Sequence, residues 1–161
     1  MRIREGVILS QNQRIAVVLS RFNGFFSERL LEGALDALKR TGGNPELMEV
    51  VKVPGAFEIP MIARKLAISG RYDGILCLGV ILRGETPHFD LLAAETTKGL
   101  AQVAMDSPVP LTYGLVTADT EEQAMDRSGV KAGNKGYDAA LALFEMINLY
   151  HTLEDKEETR R

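Results

Sequence analysis

Polar and aromatic residues that could bind a small molecule cluster in four short segments, each directly after an apolar run: residues 20–24, 54–58, 83–88 and 118–120. In the first segment, the ring of Phe22 could stack on a flat ligand, or it could be a core residue or one that anchors its own loop. In the second, Glu58 lies where a helix is predicted to begin. Its carboxylate could accept a hydrogen bond from a ring N–H, or it could only complement the helix dipole. Neither residue identifies a function alone.

The third segment combines backbone and hydroxyl donors with a histidine. Gly84 and Thr86 precede a predicted helix N-terminus, which is a natural cradle for a phosphate or carboxylate. His88 could take up a proton there, although a single loop histidine is often incidental. Farther along, Arg127 and Lys135 flank a glycine-containing turn and could neutralise a phosphate, or they could be ordinary surface cations.

Alternating strands and helices would have to position these segments. Apolar runs predict four strands, over residues 14–19, 47–53, 74–82 and 111–117. Apolar residues at helical spacing predict five helices: from a cap at Ser27 to about residue 42, and over residues 59–68, 88–105, 120–127 and 137–151. The fourth helix would begin with a capping box formed by Thr120 and Gln123. Because a parallel return needs a long crossover, this order predicts an α/β fold with a mostly parallel sheet covered by helices on both faces. Ligands bind such sheets at the carboxyl ends of the strands.

Composition limits the class of protein. The 161 residues, 45% hydrophobic and 25% charged, are enough for one domain, with residues 1–13 as an N-terminal arm and 152–161 as a frayed tail. No run approaches the roughly 18 apolar residues of a membrane span, and no signal peptide is recognisable, so we expect a cytoplasmic protein without membrane contact. The net charge of -3 and the lack of a basic stripe argue against nucleic acid as a partner. The single cysteine, Cys77, lies in an apolar run and is expected to be buried.

Several common cofactor sites lack their sequence signatures. The turn after the first predicted strand has no GxGxxG, and residues 129–136 have neither the spacing nor the hydroxyl of a phosphate loop. Two histidines that lie 63 residues apart, and a single cysteine, make no zinc-ligand cluster. We therefore expect no metal site.

Five segments together carry a stronger signal: residues 21–23, 53–60, 83–90, 113–117 and 131–136. In order and spacing they resemble the 6,7-dimethyl-8-ribityllumazine synthase family, and the resemblance extends over about residues 5 to 150. It implies a flavodoxin-like, four-stranded parallel sheet. It also implies a cofactor-independent condensation of 5-amino-6-(D-ribitylamino)uracil with 3,4-dihydroxy-2-butanone 4-phosphate, which releases phosphate and water in the penultimate step of riboflavin biosynthesis.

The resemblance also implies roles for individual residues. Those matching the pyrimidine and ribityl site are Phe22, Asn23, Ala56, Phe57, Glu58, Val80, Ile81, Leu82, Tyr113 and Lys135. Those matching the phosphate site are Glu85, Thr86 and Arg127, and the residue matching the proton shuttle is His88. Because a carboxylate would repel phosphate, we expect Glu85, where many relatives have a small residue, to contribute only its backbone N–H. Leu91 replaces an aromatic residue common in the family and has no named role.

The resemblance places the active site between adjacent subunits, with Tyr113, Arg127 and Lys135 reaching across from a neighbour. Family members form pentamers, paired pentamers or capsids of twelve pentamers, and the turn at 129–136, which has no insertion, favours the sixty-subunit capsid. The apolar run 6–9 could add a strand to a neighbouring sheet. Riboflavin synthase is the implied partner enzyme. A ligand carrier and a structural shell protein are the alternatives, but neither would need His88, Thr86 and Arg127 together.

Overall fold

Four strands form the centre of the molecule in a computed structural model, which describes residues 1–130 and 133–154. The strands are β1 (Ile15–Ser20), β2 (Met48–Val53), β3 (Gly74–Leu82) and β4 (Leu111–Ala118). All pairings are parallel, in the order β2-β1-β3-β4. The two central strands are the apolar ones, β1 being buried throughout and β3 at every residue before Leu82, as parallel sheets covered on both faces require.

Helices cover both faces of this sheet. They are α1 (Gly24–Arg40), α2 (Ile59–Ala67), α3 (His88–Asp106), α4 (Glu121–Arg127) and α5 (Lys135–Glu154), with short 3-10 turns at Pro45–Leu47 and Ala56–Glu58. Because side chains alternate along a strand, Val17 of β1 packs with α1 and α5, whereas Val18 packs with α2 and α3. The predicted three-layer α/β fold with a four-stranded parallel sheet is confirmed.

The start of α1 differs from the prediction. Ser27 is not the cap, because the helix already begins at Gly24 and Ser27 is buried in its first turns. The capping position belongs to Asn23, whose backbone is left-handed at φ 58°, a conformation that asparagine tolerates. The Asn23 side chain does not cap the helix but donates a hydrogen bond to the Val80 carbonyl at 2.8 Å. It therefore ties the end of β1 to the end of β3.

The last two helices begin at polar side chains. The Thr120 hydroxyl accepts from the Gln123 N–H at 3.1 Å, as predicted, but the Gln123 side chain accepts from the Asp119 N–H and does not return to Thr120. Helix α5 begins two residues before the predicted 137, since the Asn134 side chain accepts from the Tyr137 N–H. It continues to Glu154, into the segment predicted to fray; residues 155–161 lie outside the described part of the chain.

The N-terminal arm lies against α5. The Asn148 side-chain amide donates to the carbonyls of Val7 and Leu9, at 2.7 and 2.8 Å. Residues 1–14 form no strand within the single chain, and the side chains of residues 7–9 are exposed. Cys77 is fully buried, as expected, and burial raises the pKa of its thiol. Among the described residues, no helix is both long and apolar enough to span a membrane.

Candidate active site

A cavity of about 630 Å³ opens at the carboxyl ends of β1, β2 and β3. Nine of the residues predicted for the site line it: Phe22, Asn23, Ala56, Phe57, Glu58, Val80, Ile81, Leu82 and His88. They come from the ends of β1 and β3, the turn after β2 and the start of α3. The parallel sheet brings these ends to one edge, which is why residues far apart in sequence meet there.

Two aromatic rings of the cavity are largely open to solvent. The exposed fraction is 70% for Phe22 and 61% for Phe57. Phe22 follows β1, and its backbone N–H donates to the Pro54 carbonyl at 3.2 Å, which joins its loop to the turn after β2. Because an exposed ring contributes little to the core, the interpretation of Phe22 as a core residue is wrong. Its flat face is available to a planar ligand.

Glu58 is held at the start of α2 by its own turn. Its Oε2 accepts from the Gly55 N–H at 2.9 Å, and the side chain is partly buried in the cavity wall. An acid at this position also complements the positive end of the helix. The carboxylate thus faces the cavity in a fixed position, so its structural role is compatible with ligand binding.

One side of α3 forms another wall of the cavity. His88, the first helical residue, is followed on the same side by Leu91, Leu92 and Glu95. These three residues were not predicted to line the site. Their spacing of three, four and seven residues from His88 could have identified them, since such positions share one helix face.

The loop between β3 and α3 lies beside the cavity. Glu85 and Thr86 are exposed and are not among the residues that line the cavity. The Thr86 hydroxyl accepts from the His88 N–H at 3.4 Å. The structure therefore places these two predicted phosphate residues next to His88, on the outer side of the helix start.

Arg83, which was not predicted as a functional residue, links this loop to its surroundings. Its guanidinium donates to Asp90 through both terminal nitrogens, at 3.1 and 3.2 Å, and to Asp119 through Nε at 2.7 Å. The hydrogen bonds to Asp90 and then Asp119 raise the pKa of Arg83 above its ordinary value. The sequence gives no local signal for this arrangement, because Asp119 lies after a different strand.

The three remaining predicted residues lie elsewhere. Tyr113, Arg127 and Lys135 line a second cavity of about 350 Å³, between the edge strand β4 and helices α4 and α5. The Arg127 guanidinium donates to the Gln123 carbonyl at 3.2 Å, and the Tyr113 hydroxyl lies 2.9 Å from that of Thr97. No described residue lines both cavities. Within one chain, the predicted site is therefore split in two.

The two cavities differ in chemical character. The described lining of the first is apolar and aromatic, with Glu58 and Glu95 but neither lysine nor arginine. The second contains the cations Arg127 and Lys135, together with Asp126 and Asp138. The first could hold a ring and the second could hold an anionic group. No group of three or more His, Cys, Asp or Glu side chains within 1–130 and 133–154 is placed to bind a metal ion.

Comparison with known proteins identifies the family of this chain. The family model for 6,7-dimethyl-8-ribityllumazine synthase matches residues 12–151, a span that includes both cavities. The chain belongs to the lumazine synthase family. The proteins of that name from Pelodictyon phaeoclathratiforme and Prosthecochloris aestuarii are each 54% identical to it, over 92% and 91% of this chain and 96% and 94% of their own lengths. The lumazine synthase of Desulfatibacillum aliphaticivorans is 53% identical over 92% of this chain and 96% of its own.

Membership of the lumazine synthase family confirms the resemblance inferred from the five sequence segments. The match covers all four strands, helices α1 to α4, helix α5 as far as residue 151, and the loops at the strand ends. Within this single chain of the family, the residues predicted for the site are divided between two cavities.

Proposed function

We propose that this chain is a transferase that condenses 5-amino-6-(D-ribitylamino)uracil with 3,4-dihydroxy-2-butanone 4-phosphate to give 6,7-dimethyl-8-ribityllumazine, the penultimate step of riboflavin biosynthesis. Family membership supports the reaction. The structural observation that carries it is the aromatic cavity at the strand ends with His88 in its wall. No cofactor is required, since both reacting groups, an amine and a ketone, are already reactive.

The first cavity would bind the pyrimidine and its ribityl chain. Phe22 offers an exposed ring for stacking, and Glu58 presents a fixed carboxylate to an N–H or hydroxyl. Ala56 and Phe57 belong to the same turn, and residues 80–82 would contribute mainly backbone groups. The Asn23 amide nitrogen donates to the Val80 carbonyl, so its side-chain oxygen and second N–H would be the groups that bind the ligand.

The second substrate would place its phosphate at the loop before α3. Thr86 and the backbone N–H of Glu85 would be donors, and the exposed Glu85 side chain can point away. The nearby Arg83 is already paired with two aspartates, and the described lining of the first cavity offers no cation. The balancing charge would come from Arg127 of an adjacent copy, whose Tyr113 and Lys135 would complete the ring site.

The chemistry would proceed by condensation and elimination. The amine attacks the ketone and loses water to give an imine, a proton is moved and phosphate leaves. The second nitrogen then adds to the remaining carbonyl and loses a second water, which closes the ring. His88 would exchange the protons. We assign most of the acceleration to the orientation of two reactive substrates, which can supply about 7–11 kcal/mol of a barrier.

Turnover tests this proposal. Absorbance-monitored formation of the lumazine from both substrates should be clear for the parent and nearly absent for Arg127→Ala. The control is Arg40→Ala, which removes another exposed arginine, paired with Asp36 on α1 at 2.9 Å, and should leave the rate unchanged. A parent that binds the pyrimidine without turning over would instead be a ligand carrier, and one that binds neither substrate would be a shell protein.

The same proposal includes assembly. An intersubunit site requires at least two adjacent copies. The resemblance implies pentamers, and we favour the sixty-subunit capsid, with the run 6–9, whose residues 7–9 are exposed, adding a strand to a neighbour. Residues 131 and 132 of the turn that favours the capsid lie outside the described residues. Riboflavin synthase would be the partner enzyme, and the cytoplasm the site of the reaction. Particle mass by light scattering would separate pentamer from capsid.

A further inference from the structure

Arg83 is the first residue after β3, and its side chain joins three segments of the fold. Its two terminal nitrogens bind both carboxylate oxygens of Asp90, in the first turn of α3. Its Nε binds Asp119, which follows β4, and the guanidinium lies 4.4 Å from the centre of the Phe89 ring. Planarity makes arginine suited to this combination of paired hydrogen bonds and stacking, which lysine could not reproduce.

These contacts bracket the loop 84–87. The loop leaves β3 at Arg83 itself, whose backbone N–H is bound to the Ala118 carbonyl at 2.9 Å. The loop leads into α3, where the Arg83 side chain contacts the second and third helical residues, Phe89 and Asp90. Phe89 is 9% exposed and belongs to the core between the sheet and α3, so the guanidinium is seated on a rigid surface. Residues 84–88 are themselves exposed.

We propose that Arg83 is a positioning residue for the phosphate-bearing substrate, which it serves by fixing both ends of loop 84–87 and the orientation of His88. This inference rests on the proposed function. The positive charge of Arg83 is opposed by two carboxylates, so Arg83 acts through the geometry of the loop and not as the phosphate's counter-ion. Displacement of a bound group by about 1 Å can cost on the order of 100-fold in rate.

The test compares Arg83→Met with the parent in the assembled enzyme. The KM for 3,4-dihydroxy-2-butanone 4-phosphate should rise about 10- to 100-fold, whereas the dissociation constant of the pyrimidine, titrated alone, should stay within about twofold. Arg40→Met is the matched control, since it removes a guanidinium from an exposed ion pair on α1 and should change neither constant. Equal losses for both substrates would show a general structural defect and overturn the inference.

Asp90→Asn separates positioning from direct phosphate contact. If Arg83 itself bound the phosphate, weakening its ion pair would free the guanidinium and lower the KM for the phosphate substrate. Positioning instead requires the KM for the phosphate substrate to rise in Asp90→Asn. The double variant that carries both Arg83→Met and Asp90→Asn should then have a KM no higher than that of Arg83→Met alone. A lowered or unchanged KM in Asp90→Asn overturns the inference. A parent enzyme without turnover would overturn the proposed function itself, which is a separate outcome.

Discussion

Phe22→Ala should weaken pyrimidine binding while leaving the fold intact. The ring is 70% exposed and lines the first cavity, so its removal takes away ligand contact and little core packing. Phe25→Ala is the matched control, because Phe25 lies one turn farther on, is 57% exposed and is not among the described residues that line the cavity. Both variants remove one phenyl ring, but the Phe25 ring contacts Phe26 and Arg29 of its own helix, at 5.1 and 5.3 Å, and not the cavity.

The exposed area of Phe22 sets the size of the effect. A phenylalanine side chain that buries about 150–250 Å² when covered, and is 70% exposed here, has roughly 100–175 Å² left to cover. A flat ligand covers one face, about half of this, which at about 25 cal/mol per Å² corresponds to roughly 1.3–2.2 kcal/mol. Loss of that energy weakens binding about 10- to 40-fold. The free energy of unfolding should change by about 0.5 kcal/mol or less, as for other surface substitutions.

Two measurements on the same samples check this prediction: calorimetric titration with 5-amino-6-(D-ribitylamino)uracil alone, and thermal unfolding. We expect the loss of affinity in Phe22→Ala only, with both variants melting near the parent. Unchanged affinity in Phe22→Ala, or an equal loss in Phe25→Ala, would refute the stacking role. A large drop in Tm for Phe22→Ala would show instead that the ring supports the fold.

Three further outcomes follow from the structure. His88→Ala should lower kcat by about 100- to 10,000-fold. A far greater loss, with substrate binding intact, would contradict the proposal that the orientation of the two substrates supplies most of the acceleration. In Gly136→Ala the new Cβ would lie 2.1 Å from the Leu30 carbonyl oxygen, so thermal unfolding should show a loss of about 1–3 kcal/mol, whereas Gly24→Ala, which meets nothing within 4 Å, should unfold like the parent. Because burial raises the pKa of Cys77, the thiol stays protonated at mildly alkaline pH, and mass spectrometry should detect iodoacetamide labelling only after unfolding.

The regular elements could be predicted because their apolar pattern is local. β3 was predicted over 74–82 and lies at Gly74–Leu82, and β1 was predicted over 14–19 and lies at Ile15–Ser20. The start of α1 was not predictable in the same way. It depends on the bond from Asn23 to Val80, whose partner is 57 residues away and becomes a neighbour only when β1 and β3 pair.

The candidate site was predictable to a similar extent. Phe22, Glu58 and His88 follow predicted strands, and a parallel sheet brings such positions together. The role of Arg83 required tertiary knowledge, because Asp119 is 36 residues away and approaches only through the pairing of β3 with β4. The division of the residues into two cavities also depends on β4 being an edge strand, which the linear order of the elements does not reveal.

Mixed oligomers test the intersubunit site most directly. His88→Ala disables the first cavity and Arg127→Ala the second, and the two chains can be co-expressed in equal amounts with different tags and purified as mixed particles. If each site joins the first cavity of one copy to the second cavity of its neighbour, about one quarter of the sites will be intact and activity will recover to about one quarter of the parent's. If each site is instead complete within one chain, no intact site can form, and activity no higher than that of the separate variants would contradict the account.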